Sequence, residues 1–506
     1  MQISNSSLPI DDSHATQIIA ALGIFVLVTL IVLLYGGASS GDDTFIYMQY
    51  VRNALAGHGF TFNPGEPSYG CTSALWAFVM TPIAKLFSNS VWTWKIVSSI
   101  LFGLRASILF LFLSRFRISL VWTLILTFAV VIEPHSFRWA ASGMENSIAV
   151  LLLTIAAYLF WLCMERPSAT TVTGLAIIAA LLPFARPEFA PLSLAMACFA
   201  IFAAKKKPLI VVFFAAAAAC ALTAFTLVWF CFGALIPQSA AAKAIFLKPA
   251  IPYSALLQCG MIILSGCLCA IAILILIRGL SREAKNWRLA TVFSVSIAIL
   301  YLGYRNQLVS TRYASYLCAP IVLAAAAVAA ERLSASAKRF HYAKILIVLH
   351  LMISGAVLAY LYPATRAADY RDIKKVGEFV ASHTSSDARI AISEVGAFGF
   401  YSDRYVIDLV GLTDAATLNW ARQNGGVIGR EGFENLLIAR GATNFIDTRS
   451  SDAGPVRGRK LDFNLIFELP IKRDIMSISG QPAEITWRVY EVRKQEGSAE
   501  KALPSR

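Results

Sequence analysis

The sequence predicts a polytopic α-helical membrane protein that carries one soluble domain, of α/β or α+β type, at its C-terminal end. Of its 506 residues, 57% are hydrophobic and only 15% are charged, with a mean hydropathy of +0.64. Such a chain has too little polar surface to cover a soluble body. Apolar runs recur from residue 17 to residue 361, whereas the remainder has mixed composition. The predicted domains are therefore a membrane region, 1–362, and a soluble domain, 363–506.

About eleven transmembrane helices fit the apolar runs. They lie at 17–36, 93–114, 119–134, 146–164, 170–185, 189–204, 208–232, 256–278, 288–304, 314–331 and 343–362. The first run has no Lys or Arg before it and no small-residue cleavage pattern after it, so we expect a retained helix instead of a signal peptide. The segment 72–87 is apolar but interrupted by Pro82 and Lys85, which favours an interfacial or re-entrant helix.

The net charge of +14 is unevenly distributed. Residues 1–362 hold 24 Lys and Arg against 11 Asp and Glu, whereas residues 363–506 hold 20 against 19. The excess lies in alternate membrane loops, which the positive-inside rule assigns to the cytoplasm, so nucleic acid is not an expected partner. We expect a bacterial inner (plasma) membrane protein with a cytoplasmic N-terminus. The remaining loops and the C-terminal domain would then be periplasmic.

The soluble domain shows one helical segment and several short strands. We predict a helix at 368–383 and strands at 389–393, 405–409, 444–447, 464–469 and 485–492. No GxGxxG or Walker A motif is present in the sequence, so no nucleotide cofactor is expected. The nine cysteines lie almost entirely inside apolar runs, outside this domain, and are typical of small core hydrophobic residues.

The first outer loop begins with two adjacent acids, Asp42 and Asp43, in the segment GDDTFIY. Two neighbouring carboxylates are not both easily ionised in a partly dry site, which favours a general base beside an orienting or cation-binding neighbour. The alternative is a helix start with solvated acids. Further along this loop, Asn63, Glu66 and Tyr69 lie among turn-forming Gly and Pro residues and supply hydrogen-bonding groups suited to a sugar.

Other charged residues are predicted to lie at the same face of the membrane. Arg186, Lys243 and Arg312 are candidates for binding a lipid-borne phosphate, and interfacial snorkelling is the alternative for each. Glu145 and Glu188 are further ligand candidates, although Glu145 also fits a helix-dipole acid. His58 and His135 show no paired-His spacing, so a zinc site is not expected. Arg105 lies within a predicted span and should have a partner inside the bundle.

Residues 41–76 resemble the first outer loop of integral-membrane glycosyltransferases of the GT-C class, most closely the terminal β-1,2-arabinofuranosyltransferase family. Later segments match the same pattern in order: SGME at 142–145, RPE at 186–188, IPQ at 236–238 followed by Lys243, RY at 312–313, EVGA at 394–397 and DLVGLTD at 408–414. The resemblance spans about residues 16 to 415. It is carried by the ordered set and not by any single motif.

The resemblance implies a polyprenyl-phosphate-sugar donor and a glycan, lipid or protein acceptor that approaches from the outer side. By motif match, Asp42 is the expected base, and Asp43 orients it or shares a divalent cation (Mg, Mn or Ca) with Glu145. Tyr313, Glu394 and Asp408 join the substrate-binding candidates. This chain departs from the family pattern at Gln238-Ser239 and at Cys71, positions that bear on sugar identity more than on reaction type.

These observations predict an inverting glycosyltransferase that acts on a cell-envelope acceptor, since a retaining double displacement would want a separate nucleophile. A polytopic transporter or flippase is the first alternative. It predicts ionisable residues near mid-span and repeated halves, of which the sequence shows mainly Arg105. The second alternative is a noncatalytic envelope assembly protein. A covalent product distinguishes the enzyme from both alternatives.

Overall fold

The structure is a computed structural model of the chain. It describes residues 10–37, 39–203, 207–239, 241–242, 311–335, 341–367, 370–424, 430–448, 456–473 and 483–495.

The described part of the chain up to residue 367 is mainly helical, and its longest non-helical connection is the loop 56–73. The helices are α1 Ile10–Gly36, α2 Asp42–Leu55, α3 Ala74–Phe87, α4 Val91–Ser114, α5 Leu120–Val131, α6 Pro134–Ala140, α7 Asn146–Glu165, α8 Ala169–Ala185, a 3-10 turn Pro187–Phe189, α9 Ala190–Ala203, α10 Lys207–Phe232, α11 Thr311–Ala335 and α12 His341–Ala367. Every predicted span inside the described residues falls on one of these helices, except the span at 119–134, which covers α5 and reaches the first residue of α6. The spans predicted at 256–278 and 288–304 lie outside the described residues.

Within the described residues, five helical segments are long and apolar enough to cross a membrane, or six if one bent pair counts as a single span. These helices show a polytopic helical membrane protein, although they do not establish a count of eleven. The predicted interfacial segment 72–87 forms α3, which is apolar, shorter than a span and contains Pro82. Helix α3 begins where the Ser73 hydroxyl accepts a hydrogen bond from the Trp76 amide.

The span predicted at 119–134 is broken. Helix α5 ends at Val131, and α6 begins at Pro134 with a bend of 70° between the two axes. The Glu133 carboxylate caps α6, because its two oxygens accept from the His135 and Ser136 amides at 3.0 and 2.8 Å. Proline at the first helical position fits this start, because its missing N–H is not needed there.

The C-terminal part contains a five-stranded mixed sheet. Its elements are α13 Tyr370–His383, β1 Arg389–Ile392, α14 Gly396–Ser402, β2 Tyr405–Asp408, α15 Ala415–Gln423, α16 Arg430–Arg440, β3 Asn444–Asp447, β4 Leu461–Arg473 and β5 Ala483–Lys494. The strand order is β2-β1-β3-β5-β4. Strand β1 pairs in parallel with β2 and β3, whereas β5 pairs antiparallel with β3 and β4. Each predicted strand coincides with an observed one, and β4 extends beyond its prediction at both ends.

One continuous apolar core joins the helical part to the sheet. It runs through α1, α4, α7, α8 and α11 and continues through α2 to β1 and β2. Phe45 of α2 marks this junction, since its ring lies 5.3 Å from Tyr370, 6.0 Å from Phe400 and 5.6 Å from Tyr401. A smaller cluster that includes Phe445 and Tyr490 packs separately on the sheet. Helix α2 is therefore held between the two parts of the chain.

Candidate active site

The acid pair lies in the first turn of α2. Gly41 precedes the helix in extended conformation, and its carbonyl accepts a hydrogen bond from the Thr44 amide at 3.0 Å. The hydroxyls of Ser40 and Thr44 both donate to the Ser142 carbonyl, at 2.9 and 3.1 Å. The loop that connects α6 to α7 therefore fixes the start of α2. Asp42 and Asp43 are both partly buried there.

The Asp42 carboxylate contacts the C-terminal part directly. Its Oδ2 accepts from the Gly396 amide at 3.0 Å, and its Oδ1 accepts from the Ala397 amide at 2.9 Å. Both amides belong to the first turn of α14. A side chain at position 396 would place its Cβ 2.1 Å from the Asp42 carbonyl oxygen, so this approach requires glycine. Asp42 thus joins the first loop to α14, and its role as base remains a prediction.

Asn63 and Tyr69, predicted to contact sugar, make internal contacts. The Asn63 amide donates to the Val406 carbonyl at 2.9 Å and accepts from the Val406 amide at 3.0 Å, so it pairs with the free edge of β2 as another strand would. The Tyr69 ring stacks on Phe232 at a centroid distance of 4.4 Å, and its carbonyl accepts from the Gln238 amide at 2.7 Å. Both residues fasten the first loop to neighbouring segments.

Glu66 belongs to a polar network with the sheet. The Tyr405 hydroxyl donates to Glu66 and accepts from Arg440 at 2.8 Å. Arg440 also pairs with Asp414 at 3.0 Å and lies 3.9 Å from Glu66. Burial, followed by the hydrogen bond to Glu66, raises the pKa of Tyr405 to about 12. The Glu66 side chain is 44% exposed and is the one member of this set with substantial access to solvent.

Asp408 is the last residue of β2, and Glu394 lies two residues after the end of β1. The buried Asp408 carboxylate accepts from the amides of Val410, Gly411 and Thr413 and from the Thr413 hydroxyl, at 2.8 to 3.1 Å. It therefore organises the loop after β2, and burial raises its pKa to about 6. Glu394 is partly buried and lies two residues before Gly396, close in sequence to the contact with Asp42.

A second charged group is buried between α7, α8 and α11. Arg186 forms ion pairs with both Glu145 and Glu188, and the three side chains are 0%, 1% and 7% exposed. The Arg186 Nε also donates to Glu188 at 3.0 Å, and its guanidinium lies 4.6 Å above the Tyr316 ring. The Tyr316 hydroxyl donates to Asn146 at 2.8 Å. Each guanidinium nitrogen of Arg186 thus meets a carboxylate, an arrangement that favours a structural role over binding of phosphate.

The remaining predicted residues are less fully described. Arg312 and Tyr313 lie in the first turn of α11, and Lys243 lies outside the described residues. The buried Arg105 donates from Nε to the Thr154 hydroxyl at 3.4 Å and lies 5.0 Å from the Phe102 ring centroid. The predicted partners inside the bundle are therefore a hydroxyl and an aromatic face, together with the opposite charge of the buried Glu133 carboxylate, which lies beyond ion-pair distance.

Sequence reasoning missed two cations that contact residues 34–39, the segment that precedes the acid pair. Lys95, near the start of α4, is 1% exposed and donates to the Ser39 carbonyl. Arg366, at the end of α12, donates to the Leu34 carbonyl at 3.3 Å. A charged residue inside the predicted span 93–114 was the available signal for Lys95. No such signal was available for Arg366, because it follows its predicted span by a few residues, where basic residues are common.

The described part of the chain does not bring together enough side chains to ligate the predicted divalent cation. No group of three or more His, Cys, Asp or Glu side chains there is arranged to hold a metal ion. Glu145, a predicted ligand, is paired with Arg186. Dependence on Mg, Mn or Ca stays a prediction.

This chain is similar to one domain family and to several solved structures. Residues 360–489 match a family described as Domain of unknown function (DUF8728). No curated protein matches the sequence.

Solved structures resemble the chain over most of its length. ArnT from Cupriavidus metallidurans bound to undecaprenyl phosphate aligns with a TM-score of 0.57 and 9% identity, over 93% of this chain and 97% of that one. The arabinofuranosyltransferase AftD from Mycobacteria gives 0.51 and 14%, over 92% of this chain and 39% of that one. An oligosaccharyltransferase from Archaeoglobus fulgidus gives 0.50 and 11%, over 84% and 68%. At these identities the similarity shows the fold, and it confirms the resemblance to GT-C-class membrane glycosyltransferases at that level.

Proposed function

We propose that this protein is an inverting glycosyltransferase that moves a sugar from a polyprenyl-phosphate donor to a cell-envelope acceptor. The observation that carries the proposal is the shared fold along 93% of the chain with ArnT bound to undecaprenyl phosphate. The placement of the acid pair supports it, because Asp42 and Asp43 begin a helix fixed between the bundle and the sheet. Arabinofuranose, another pentose or a hexose are the candidate sugars, and a glycan, lipid or protein is the candidate acceptor.

The reaction needs one base and stabilisation of one leaving group. The base takes the proton of the acceptor hydroxyl while that oxygen attacks the anomeric carbon of the sugar. The bond between this carbon and the phosphate oxygen breaks, and the phosphate leaves with the electron pair. A single displacement inverts the anomeric carbon and requires no protein nucleophile. Cations near the phosphate stabilise the negative charge that develops on it.

We assign the two carboxylates different tasks. Both oxygens of Asp42 accept amide hydrogen bonds from α14, and protonation of Asp42 would weaken one of them. Asp42 is therefore the residue that positions the start of α2, and Asp43, the next residue in the same turn, is the base. This assignment reverses the order expected from the motif match and can be tested directly.

The reaction takes place, in this proposal, on the outer face of a bacterial inner membrane. The first loop contacts β2 and α14, so both parts are taken to lie on the same side of the membrane. In this proposal that side is the periplasm. The basic loops on the opposite side keep the N-terminus in the cytoplasm.

The test is transfer from synthetic short-chain polyprenyl-phosphate sugars by the purified protein in lipid nanodiscs, with the product detected by mass spectrometry. Asp43→Asn should lower kcat by about 10²- to 10⁴-fold, the usual contribution of a general base. Asp42→Asn should lower thermal stability and reduce kcat less. Asp462→Asn, an exposed acid on β4, is the matched control.

The outcomes separate the alternatives. If Asp42→Asn loses kcat at unchanged stability while Asp43→Asn remains active, the general base is Asp42 and not Asp43. Full turnover in both variants would remove the acid pair from catalysis. Movement of the lipid-linked sugar across the bilayer without a covalent product would identify a flippase. Chelation during the same assay tests the predicted cation dependence.

A further inference from the structure

Lys95 is a buried cation with little to compensate its charge. It lies near the start of α4, is 1% exposed, and its ammonium donates to the Ser39 carbonyl. Its ammonium lies 5.9 Å from the Trp92 ring centroid, and its aliphatic chain lies against Gly143, where a Cβ would approach it to 3.4 Å. Among the described residues, no carboxylate lies within ion-pair distance of Lys95.

A buried ammonium without a counter-ion is costly, because one carbonyl oxygen replaces only part of the hydration that the charge loses. Ionisable residues retained at such positions in membrane proteins commonly serve a substrate or ion. The missing negative charge at Lys95 is therefore expected to come from a ligand.

A second cation adjoins the same backbone segment. The Arg366 guanidinium packs so closely on Gly37 that a Cβ there would lie 1.6 Å from Nη1, and Gly37 has a positive φ of 50°. Only glycine satisfies both conditions at this position. Arg366 is near enough to Lys95 to act on it as a like charge. Two cations that repel each other thus adjoin residues 37–39, directly before Asp42 and Asp43.

The surroundings of these cations suit a lipid. Trp92 and Tyr362 are 48% and 41% exposed, and their rings lie beside Lys95 and Arg366 respectively. Exposed Trp and Tyr are typical of the membrane–water boundary, where the phosphate of a lipid lies. The acyl or prenyl chain would then remain in the bilayer while the phosphate reaches the two cations.

We propose that Lys95 and Arg366, which adjoin residues 37–39, bind the phosphate of the lipid-linked donor. This inference rests on the proposed function and identifies residues that the motif match did not assign. The donor phosphate carries one negative charge and gains a second as its bond to the sugar breaks. Paired cations bind the phosphate more strongly once its second negative charge develops, and this difference accelerates transfer. Arg186 cannot take this role without breaking its ion pairs with two buried carboxylates.

The first experiment measures binding of farnesyl phosphate to the purified protein in detergent, by calorimetry. Lys95→Met and Arg366→Gln should each weaken binding about tenfold or more, the equivalent of one charge-assisted contact. Lys95→Arg should retain most of the affinity. Lys85→Met, which removes an exposed lysine of α3, is the matched control and should bind within about twofold of the unchanged protein.

The same assay distinguishes a lipid-linked phosphate from free inorganic phosphate as the ligand. Farnesol, which lacks the phosphate, should bind weakly and equally to all variants. Inorganic phosphate should compete only at far higher concentration. Competition by inorganic phosphate at the same concentration as farnesyl phosphate would overturn the assignment to a lipid.

Stability distinguishes a binding role from a structural one. Because Lys95→Met removes a buried charge that no carboxylate of the described residues compensates, its melting temperature should be unchanged or higher while its affinity falls. Unchanged affinity in Lys95→Met, or a loss of affinity that only accompanies unfolding and persists in Lys95→Arg, would overturn the site. Binding that depends on Lys95 in a protein that transfers no sugar would instead contradict the proposed function and leave the phosphate site standing.

Discussion

Replacement of Arg186 tests whether the buried charged group is structural. Arg186→Met removes the cation that pairs with both Glu145 and Glu188, whose side chains are 1% and 7% exposed. Removal of one partner from a buried ion pair costs about 3–5 kcal/mol. The entropy of unfolding is about 2 cal/mol/K per residue. For a chain of 506 residues, the melting temperature should therefore fall by about 3–5 °C.

The measurement is the melting temperature of the purified protein in one fixed detergent, together with the KM for the donor. A triple variant, Arg186→Met with Glu145→Gln and Glu188→Gln, removes all three charges and should recover most of the lost stability. Arg115→Met, which removes an arginine at the exposed end of α4, is the control. An unchanged melting temperature with a raised KM would refute this reasoning and return Arg186 to the phosphate site.

The remaining predictions concern the sheet and its junction with the first loop. Asn63→Ala removes both hydrogen bonds to the edge of β2 and should destabilise this junction by about 2–3 kcal/mol, seen as faster hydrogen exchange at Val406. Asn424→Ala, at an exposed helix end, should change little, and equal exchange in the two variants would contradict the docking role. The Asp408 pKa, raised by burial to about 6 from its ordinary value of 3.8, implies proton uptake on folding. The stability that this proton contributes should therefore be present below about pH 4 and lost as the pH rises through 6. Asp408→Asn should abolish that part of the pH dependence, and a pH profile identical to that of the unchanged protein would contradict it.

Local pattern predicted the membrane helices and the strands, but not the three short helices α14, α15 and α16 of the C-terminal part. Apolar runs predicted helices wherever the described residues allow comparison, because the bilayer requires every backbone group to be paired within the segment. Alternating short apolar stretches predicted all five strands, including Asn444–Asp447 at its observed bounds. The acid pair was found because two adjacent carboxylates outside an apolar run are conspicuous in the sequence.

The partners of the charged residues were not predictable in the same way. The sequence indicated that Arg105 needs a partner inside the bundle, yet it could not name Thr154 and Phe102. Asn63 was predicted to contact sugar because its loop is polar, whereas it pairs with a strand edge that lies 343 positions away. A polar side chain has the same chemistry in both roles, so composition does not separate them.

The sequence by itself determined that this protein is a polytopic membrane protein with a sheet-containing C-terminal region, and it identified the first loop that carries the acid pair. Only the tertiary structure decided which groups the charged residues contact. It brings the Asp42 carboxylate to the Gly396 amide across 354 positions. It also buries Lys95 with no carboxylate within ion-pair distance among the described residues. The physical reason is the range of the interactions. Hydrophobic periodicity acts within one segment, whereas ion pairs and hydrogen bonds depend on atoms that packing brings within about 3 Å of each other.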